Sequence, residues 1–310
     1  MSFYPLLGCS QDQLAAAQPR LSWGLPGKLL STSLETRAMS DTDRYAVIGH
    51  PIAHSKSPII HQLFAKQTGE QISYEALDVL PEQLQASIIS FTQKGGKGLN
   101  VTLPHKRKAA EIVDTLTDRA RIAGAVNTIT QQQSGELEGD NTDGVGLVAD
   151  LTNNLGIILQ GARIAILGAG GATRGVVPQV LEAHPEELVI ANRSEEKAKA
   201  LADCFLPLGK ITSSSFRDLR DKSFNLVINA TSAGIDGMVP AFPESILGPD
   251  TICYDLSYSI KDTPFVAWSR NHGSREAHQG WGMLVEQAAE SFCIWRGIRP
   301  DTDLVLRRLR

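Results

Sequence analysis

Two hydrophobic patterns alternate along the chain from residue 44 onward. Short apolar runs that stop at Gly or Pro are the signature of strands buried in a sheet, and apolar positions recurring three and four apart mark one face of a helix. Arg44–Gly49 (RYAVIG), Ser73–Val79 and Gly98–Leu103 (GLNVTL, stopped by Pro104) read as strands. Pro58–Thr68 sets Ile59, Ile60, Leu63 and Phe64 on one helical face, and Pro81–Gln93 reads as a helix with Pro in its first turn. Lys106–Asp114 and Asp118–Gly124 read as helices, and Ala125–Gln131 with Glu136–Gly139 as a hairpin around Ser134-Gly135.

A second cycle opens at Arg163. The run RIAIL (163–167) leads into GAGGATRG (168–175) and an apolar helix to Glu182. ELVIANRS (187–194), a helix through Ala202, FNLVINAT (224–231) and TICYDLSY (251–258) follow. MLVEQAAESFCIWRG (283–297) is an amphipathic helix that begins after this second set is complete, so it is expected to return to the first domain. Strands alternating with helices predict an α/β protein of two domains with mostly parallel sheets. The boundary is placed near Asp143–Gly146, with a second crossing near Gly280, giving domains 44–143 and 144–279 and a returning segment 280–310.

Composition narrows the class. Net charge is −4 with no Lys/Arg cluster, which leaves no footprint for nucleic acid or an anionic membrane. No apolar run reaches the ~18 residues of a spanning helix. Cys9, Cys204, Cys253 and Cys293 are scattered, without the spacing of a metal site or a disulfide framework, and point to a reducing cytoplasm and no metal. Residues 1–43 show no sustained period, and the PLLGC ending at Cys9 lacks the positive flank and apolar length of an export signal. They are expected to be an extension without a fold, with Met39 as the true or an alternative start.

The glycine-rich turn is the first chemical signal. Gly168, Ala169, Gly170, Gly171, Ala172 and Thr173 lie between an apolar strand and a helix, where glycines bring backbone N–H groups and the helix N-terminus up to a pyrophosphate. An NAD site places Asp or Glu at the end of the next strand. Here stand Asn192, Arg193 and Ser194, with Lys197 one turn on: donors suited to the 2′-phosphate of NADP. Glu195 and Glu196 oppose that phosphate if they point inward, and not if they face solvent.

The second signal gathers at strand ends of the first domain. Ser55 and Ser57 precede a helix, a place suited to a small carboxylate, although Ser57 as a helix cap is the plainer reading. Thr102 and Lys106 follow a buried strand, and Ala125–Thr128 and Gly139–Gly144 bring Asn127 and Asp143 to further element ends, where open parallel sheets bind ligands.

In order, GHPIAHSKSP, GLNVTLPHK, AGAVNT, GDNTDG, GAGGATRG, NRS, NATSAG and GMLVEQA resemble shikimate dehydrogenases over about residues 44–300. The resemblance implies an N-terminal substrate domain, a C-terminal Rossmann domain and NADP-dependent interconversion of 3-dehydroshikimate and shikimate. It implies Ser55, Ser57 and Tyr258 at the substrate carboxylate, and Thr102, Asn127, Asp143 and Gln287 at the ring hydroxyls. Lys106, beside Asp143, would transfer the proton. Ala169–Thr173 would hold the pyrophosphate and Asn192, Arg193, Ser194 and Lys197 the ribose phosphate, while Leu256, Gly280 and Asp118 would also touch the cofactor. The small-molecule substrate would be the partner, with a homodimer allowed. The chain departs from the family at Lys197, often Arg, and at Gln279 and Trp281, commonly Asp and a smaller apolar residue; Trp281 is expected to pack in the core. The rivals are a quinate/shikimate dehydrogenase of relaxed choice, a non-catalytic NADP sensor, and a related enzyme acting on a folate or amino acid.

Overall fold

The computed structural model describes residues 42–309. The Met39 start, Cys9 and almost all of the expected extension lie outside those residues, while Asp43, its last position, already belongs to the first strand. The first lobe runs β1 (Asp43–Gly49), α1 (Ser57–Thr68), β2 (Ile72–Asp78), α2 (Leu84–Gln93), β3 (Gly96–Val101), α3 (Lys106–Ile112), β4 (Thr115–Leu116), α4 (Asp118–Ala123), β5 (Thr128–Gln131), β6 (Leu137–Asp140) and α5 (Asp143–Ala149). The second runs β7 (Arg163–Leu167), α6 (Gly171–Glu182), β8 (Glu187–Asn192), α7 (Glu195–Phe205), β9 (Ile211–Ser215), β10 (Leu226–Asn229), β11 (Ile252–Asp255), α8 (Pro264–Asn271) and β12 (Glu276–Gln279). Two closing helices follow, α9 (Trp281–Arg296) and α10 (Asp303–Leu309).

Each lobe is built on a six-stranded sheet. The first has the order β2-β1-β3-β5-β6-β4; β1, β2 and β3 are parallel, and β5 reverses direction as the predicted hairpin requires. The second, β12-β11-β10-β7-β8-β9, is parallel throughout, with β7 at its centre. That order reverses beside β7, and in open α/β sheets such a switch point leaves a crevice at the strand carboxyl ends. Ile164, Ile166, Val176, Val177, Val180 and Leu181 fill one side of this sheet and Leu167, Val189, Val227 and Phe265 the other.

The returning helix packs where expected. Val285, Ala288, Ala289 and Phe292 of α9 bury against Ile60 and Phe64 of α1 and Val305 and Leu306 of α10. Ile59, expected on that buried face, is 49% exposed. Ile60 and Phe64, one turn apart, define the stripe, and Ile59 is rotated about 100° away from Ile60. Trp295 stacks on Tyr45 at 4.6 Å and donates to the Ile129 carbonyl. Gly98 gives it room, since a Cβ there would lie 2.5 Å from the indole nitrogen. Arg119 ties α4 to the same helix, reaching Asp140 at 2.6 Å and Glu290 at 3.0 Å. Burial alone would raise the Asp140 carboxyl, but Arg119 and the Thr117 hydroxyl hold it below its ordinary value.

The segment 143–146, expected as a boundary, opens α5, which packs against α6 and α9. Glycines allow this close approach. A Cβ at Gly146 would stand 2.6 Å from the Gln287 nitrogen, and one at Gly282 would overlap the Asp150 carboxylate. Asp150 accepts from Tyr254 at 2.6 Å and Asn154 at 3.0 Å, so the two chain crossings between the lobes meet at one buried group. No helix among the described residues is long and apolar enough to cross a membrane.

Gly→Ala inside a helix ordinarily gains about 1 kcal/mol. At Gly146 the added methyl meets backbone rather than a yielding side chain, and overpacking of that kind costs about 1–3 kcal/mol or more. Gly146→Ala is therefore expected to lower the thermal unfolding midpoint, read by circular dichroism; a raised midpoint would show that α5 and α9 separate without cost.

Candidate active site

Of the first-lobe candidates, Lys106 and Asn127 meet at Asp143. β3 ends at Val101, and the turn through Thr102 and Pro104 starts α3 at Lys106, whose side chain is 18% exposed. Its ammonium donates to Asp143 Oδ2 at 2.6 Å. Asp143, the first residue of α5, has a 6% exposed side chain, and its Oδ1 accepts from Asn127 Nδ2 at 2.9 Å. The orientation of that amide is dictated by its surroundings. The Thr142 backbone N–H can only donate, and it points at Asn127 Oδ1 from 2.8 Å, so Nδ2 must face Asp143. Gln287 of α9 comes within 3.4 Å of the same Nδ2 through Oε1 and donates to the Leu284 carbonyl. A Cβ at Gly175 of α6 would lie 3.1 Å from Asp143 Oδ2. The carboxylate thus touches both Lys106 and the helix that starts at the glycine-rich turn.

Ser57 stands inside the first turn of α1 without capping it, and its N–H is taken by Ser55 Oγ at 3.3 Å. The expected capping role of Ser57 is therefore not realised: Lys56 stands at the cap position, and the side-chain bond there comes from Ser55, two residues before Ser57. Ser57 lies beside Tyr74, whose phenol burial pushes well above its ordinary value, with Ser57 opposing that rise. Tyr74 donates to Asn100 at 2.7 Å, and Asn100 reaches Ser291 at 3.0 Å and Thr128 at 3.3 Å. Thr128 in turn donates to Asn127 Oδ1 at 2.9 Å. Tyr74, Asn100, Thr128 and Ser291 were not among the sequence candidates. Their signal was a polar residue inside an apolar run: Asn100 in GLNVTL and Ser291 two residues from Ala289 on the buried stripe of α9. His61, fully buried, stacks on Tyr74 at 4.1 Å, and burial pushes its imidazole down to about 3, so it is neutral.

In the second lobe Gly168 has φ 108°, and a Cβ there would stand 3.1 Å from the Ala230 carbonyl. Thr173 is buried and bonds back to the Gly168 carbonyl at 2.8 Å, closing the turn across Ala169 and Ala172. Gly170 and Gly171 face open space: a Cβ on either would meet nothing within 4 Å. At the end of β8, Asn192 braces the turn by donating to the Ser194 carbonyl at 3.0 Å, and Arg193 and Lys197 are exposed without an acidic partner among the described residues. This open cradle beside free cations fits a pyrophosphate and a further phosphate.

Leu256 and Tyr258 follow β11, in a loop braced by Asp255. That buried carboxylate accepts from Asn229, Thr263 and the Ser257 N–H, and burial raises its pKa despite them. Gly280 packs under Leu256, where a Cβ would overlap the carbonyl oxygen. Trp281 is 8% exposed, donates to the Ser259 carbonyl at 3.2 Å and lies 4.6 Å from the Tyr258 ring, so it packs in the core as expected. Gln279 accepts from the Ser259 N–H at 2.7 Å and holds the same loop. Tyr258 makes no hydrogen bond to Ser55 or Ser57 among the described residues, and its phenol is raised by burial. Asp118 is an exposed first residue of α4, engaged by Arg121 rather than by residues 168–173.

Three family models match successive parts of the chain. The shikimate dehydrogenase substrate binding domain matches residues 47–129, shikimate / quinate 5-dehydrogenase residues 150–235 and the shikimate 5′-dehydrogenase C-terminal domain residues 280–310. A protein of Alkalilimnicola ehrlichii named shikimate dehydrogenase (NADP(+)) is 51% identical over 269 residues, 87% of this chain and 99% of that protein. Among solved structures, an Ael1 enzyme from Pseudomonas putida is 43% identical with a TM-score of 0.82, covering 86% of this chain and 98% of its own. The shikimate 5-dehydrogenase of Thermus thermophilus, solved with NADP(H) and shikimate, is 33% identical with a TM-score of 0.77, covering 86% and 100%. With a relative of half-identical sequence matched over nearly its full length, the chain belongs to the shikimate dehydrogenase family.

Proposed function

We propose that this protein interconverts 3-dehydroshikimate and shikimate with NADP(H), as a cytoplasmic enzyme whose partners are small molecules. The observation that carries the reading is the Lys106 ammonium 2.6 Å from an Asp143 carboxylate that abuts Gly175 of α6, one turn past the glycine-rich loop. A proton-transfer group and a dinucleotide cradle thereby share one crevice.

The cradle of Gly168–Thr173 would hold the cofactor's pyrophosphate, with Asn192, Arg193, Ser194 and Lys197 at the ribose phosphate and Leu256 and Gly280 along its length. Asp118, exposed and paired with Arg121, has the weakest support in this set. NADPH, when bound, supplies the two electrons and the hydrogen that reach the ring carbonyl carbon. Lys106 acts on the oxygen: its N–H stabilises the charge developing there and gives the proton that completes the alcohol. In the oxidative direction the neutral amine takes that proton from the hydroxyl. Asp143 aims the ammonium, and Asn127 holds Asp143 by the oxygen Lys106 leaves free. Thr102, Asn127, Asp143 and Gln287 would bind ring hydroxyls, and Ser55, Ser57 and Tyr258 the carboxylate. Because Tyr258 stands in the second lobe, its part in that contact belongs to a closed cleft, which also excludes water.

The deciding assay is reduced-cofactor formation with shikimate, quinate or no substrate, run with NADP+ and with NAD+. Turnover of shikimate with NADP+ is expected to dominate, and cofactor binding without turnover of either acid would overturn the reading. Lys106→Ala is expected to lower kcat by ~10²–10⁴, the range of a positioned acid/base, with a smaller change in KM. Ser55→Ala should act on KM, since a contact remote from the reacting carbon is uniform between ground and transition states. Gly170→Ala, whose methyl would enter open space, is expected to keep stability within about 0.5 kcal/mol while weakening dinucleotide binding in equilibrium titration. Equal loss of stability and binding would show that Gly170 serves the fold.

A further inference from the structure

At the start of α7 the hydrogen-bond direction is inverted. Ser194 occupies the cap position, where a hydroxyl ordinarily accepts from a free backbone N–H of the first turn. No such bond forms here; the hydroxyl donates instead to Glu196 Oε2 at 2.8 Å. Glu196 also turns back onto its own N–H, and these two donors, backbone first, hold its carboxyl below the ordinary range. The side chain is therefore an anion through the neutral range. On either side stand Arg193 and Lys197, exposed and without an ion-pair partner among the described residues. The neighbouring Glu195 has the same charge on the same turn, yet makes no bond to Ser194.

We propose that Glu196 is a specificity-determining residue that competes with a ribose 2′-phosphate for the Ser194 hydroxyl. This inference rests on the NADP reading above and adds to it a competitor within the chain. When a phosphate arrives, Ser194 Oγ–H must change acceptor, and the carboxylate must swing out because two anions cannot share that donor. Arg193 and Lys197 stay available throughout, since neither is spent on Glu196. The site therefore binds the phosphate by exchange, and its affinity is set below what its donors alone would give. A cofactor with a bare 2′-hydroxyl does not demand that exchange, because a carboxylate accepts from a hydroxyl.

The test uses the full chain as wild type, Glu196→Gln and Glu195→Gln, titrated calorimetrically with adenosine 2′,5′-bisphosphate and with adenosine 5′-phosphate. KM for NADP+ is measured in parallel. Glu196→Gln is expected to bind the bisphosphate about threefold tighter or more, the scale of one exposed charge contact. Its affinity for the monophosphate should be unchanged or lower, and Glu195→Gln should move both less. An equal gain in the two variants would reduce the effect to removal of a nearby charge and overturn the inference, as would no gain in Glu196→Gln. If no variant prefers the bisphosphate to the monophosphate, the NADP reading itself fails.

Discussion

The arrangement depends on how the Asp143 carboxylate is satisfied. A buried charge is costly unless every oxygen finds a partner. Here the two oxygens are divided, one to Asn127 and one to Lys106, and neither partner is interchangeable. Asn127 is an amide whose other end is taken by Thr142 N–H and Thr128, so it can present only its donor side. Lys106 is thereby the cation that completes the pair. Removing any one member leaves a buried polar group unpaired, at about 1–3 kcal/mol or more for a charge. The geometry is therefore determined by the surroundings rather than by Lys106 and Asp143 themselves.

Those surroundings come from distant parts of the chain. Asn100 arrives on β3, Thr128 on β5, Thr142 just before α5 and Ser291 on α9, and each hydroxyl or amide has at least one bond to another member. The returning α9 is what closes this set. Its apolar face covers α1 while Ser291 and Gln287 reach the polar residues behind Asn127, so one helix supplies both packing and hydrogen bonds. Gly146 makes that possible by letting α5 and α9 approach at backbone distance.

The interior strands were legible because parallel strands buried on both faces are continuous apolar runs, as in RIAIL and ELVIAN. The edge strands β9 (ITSSS) and β12 (EAHQ) carry one buried apolar residue each, Ile211 and Ala277, and gave no such signal. α5 was hidden by Gly144 and Gly146, which lower helix propensity and stand there because Gln179 and Gln287 press against them. Within the site, residue types and their order pointed to Lys106, Asn127 and Asp143. The Tyr74–Asn100–Ser291 chain was not legible, because a hydroxyl's partner is chosen by tertiary packing and leaves no spacing rule in the sequence.

The two candidate clusters are held by different means. Around Lys106 and Asp143, the side chains are fixed by a buried polar network that tolerates few alternatives. At the glycine-rich turn, Gly168 and Thr173 lock the base while Gly170, Gly171, Arg193 and Lys197 stay open or exposed. A reacting centre gains from groups held in place before the ligand arrives, since reorganisation then costs nothing at the moment of proton transfer. A phosphate contact gains less from rigidity, because charge acts over several ångströms and an exposed side chain can follow the ligand. The division seen here follows that logic: buried hydrogen bonds surround Asp143 beside Lys106, while Arg193 and Lys197 are left to solvent.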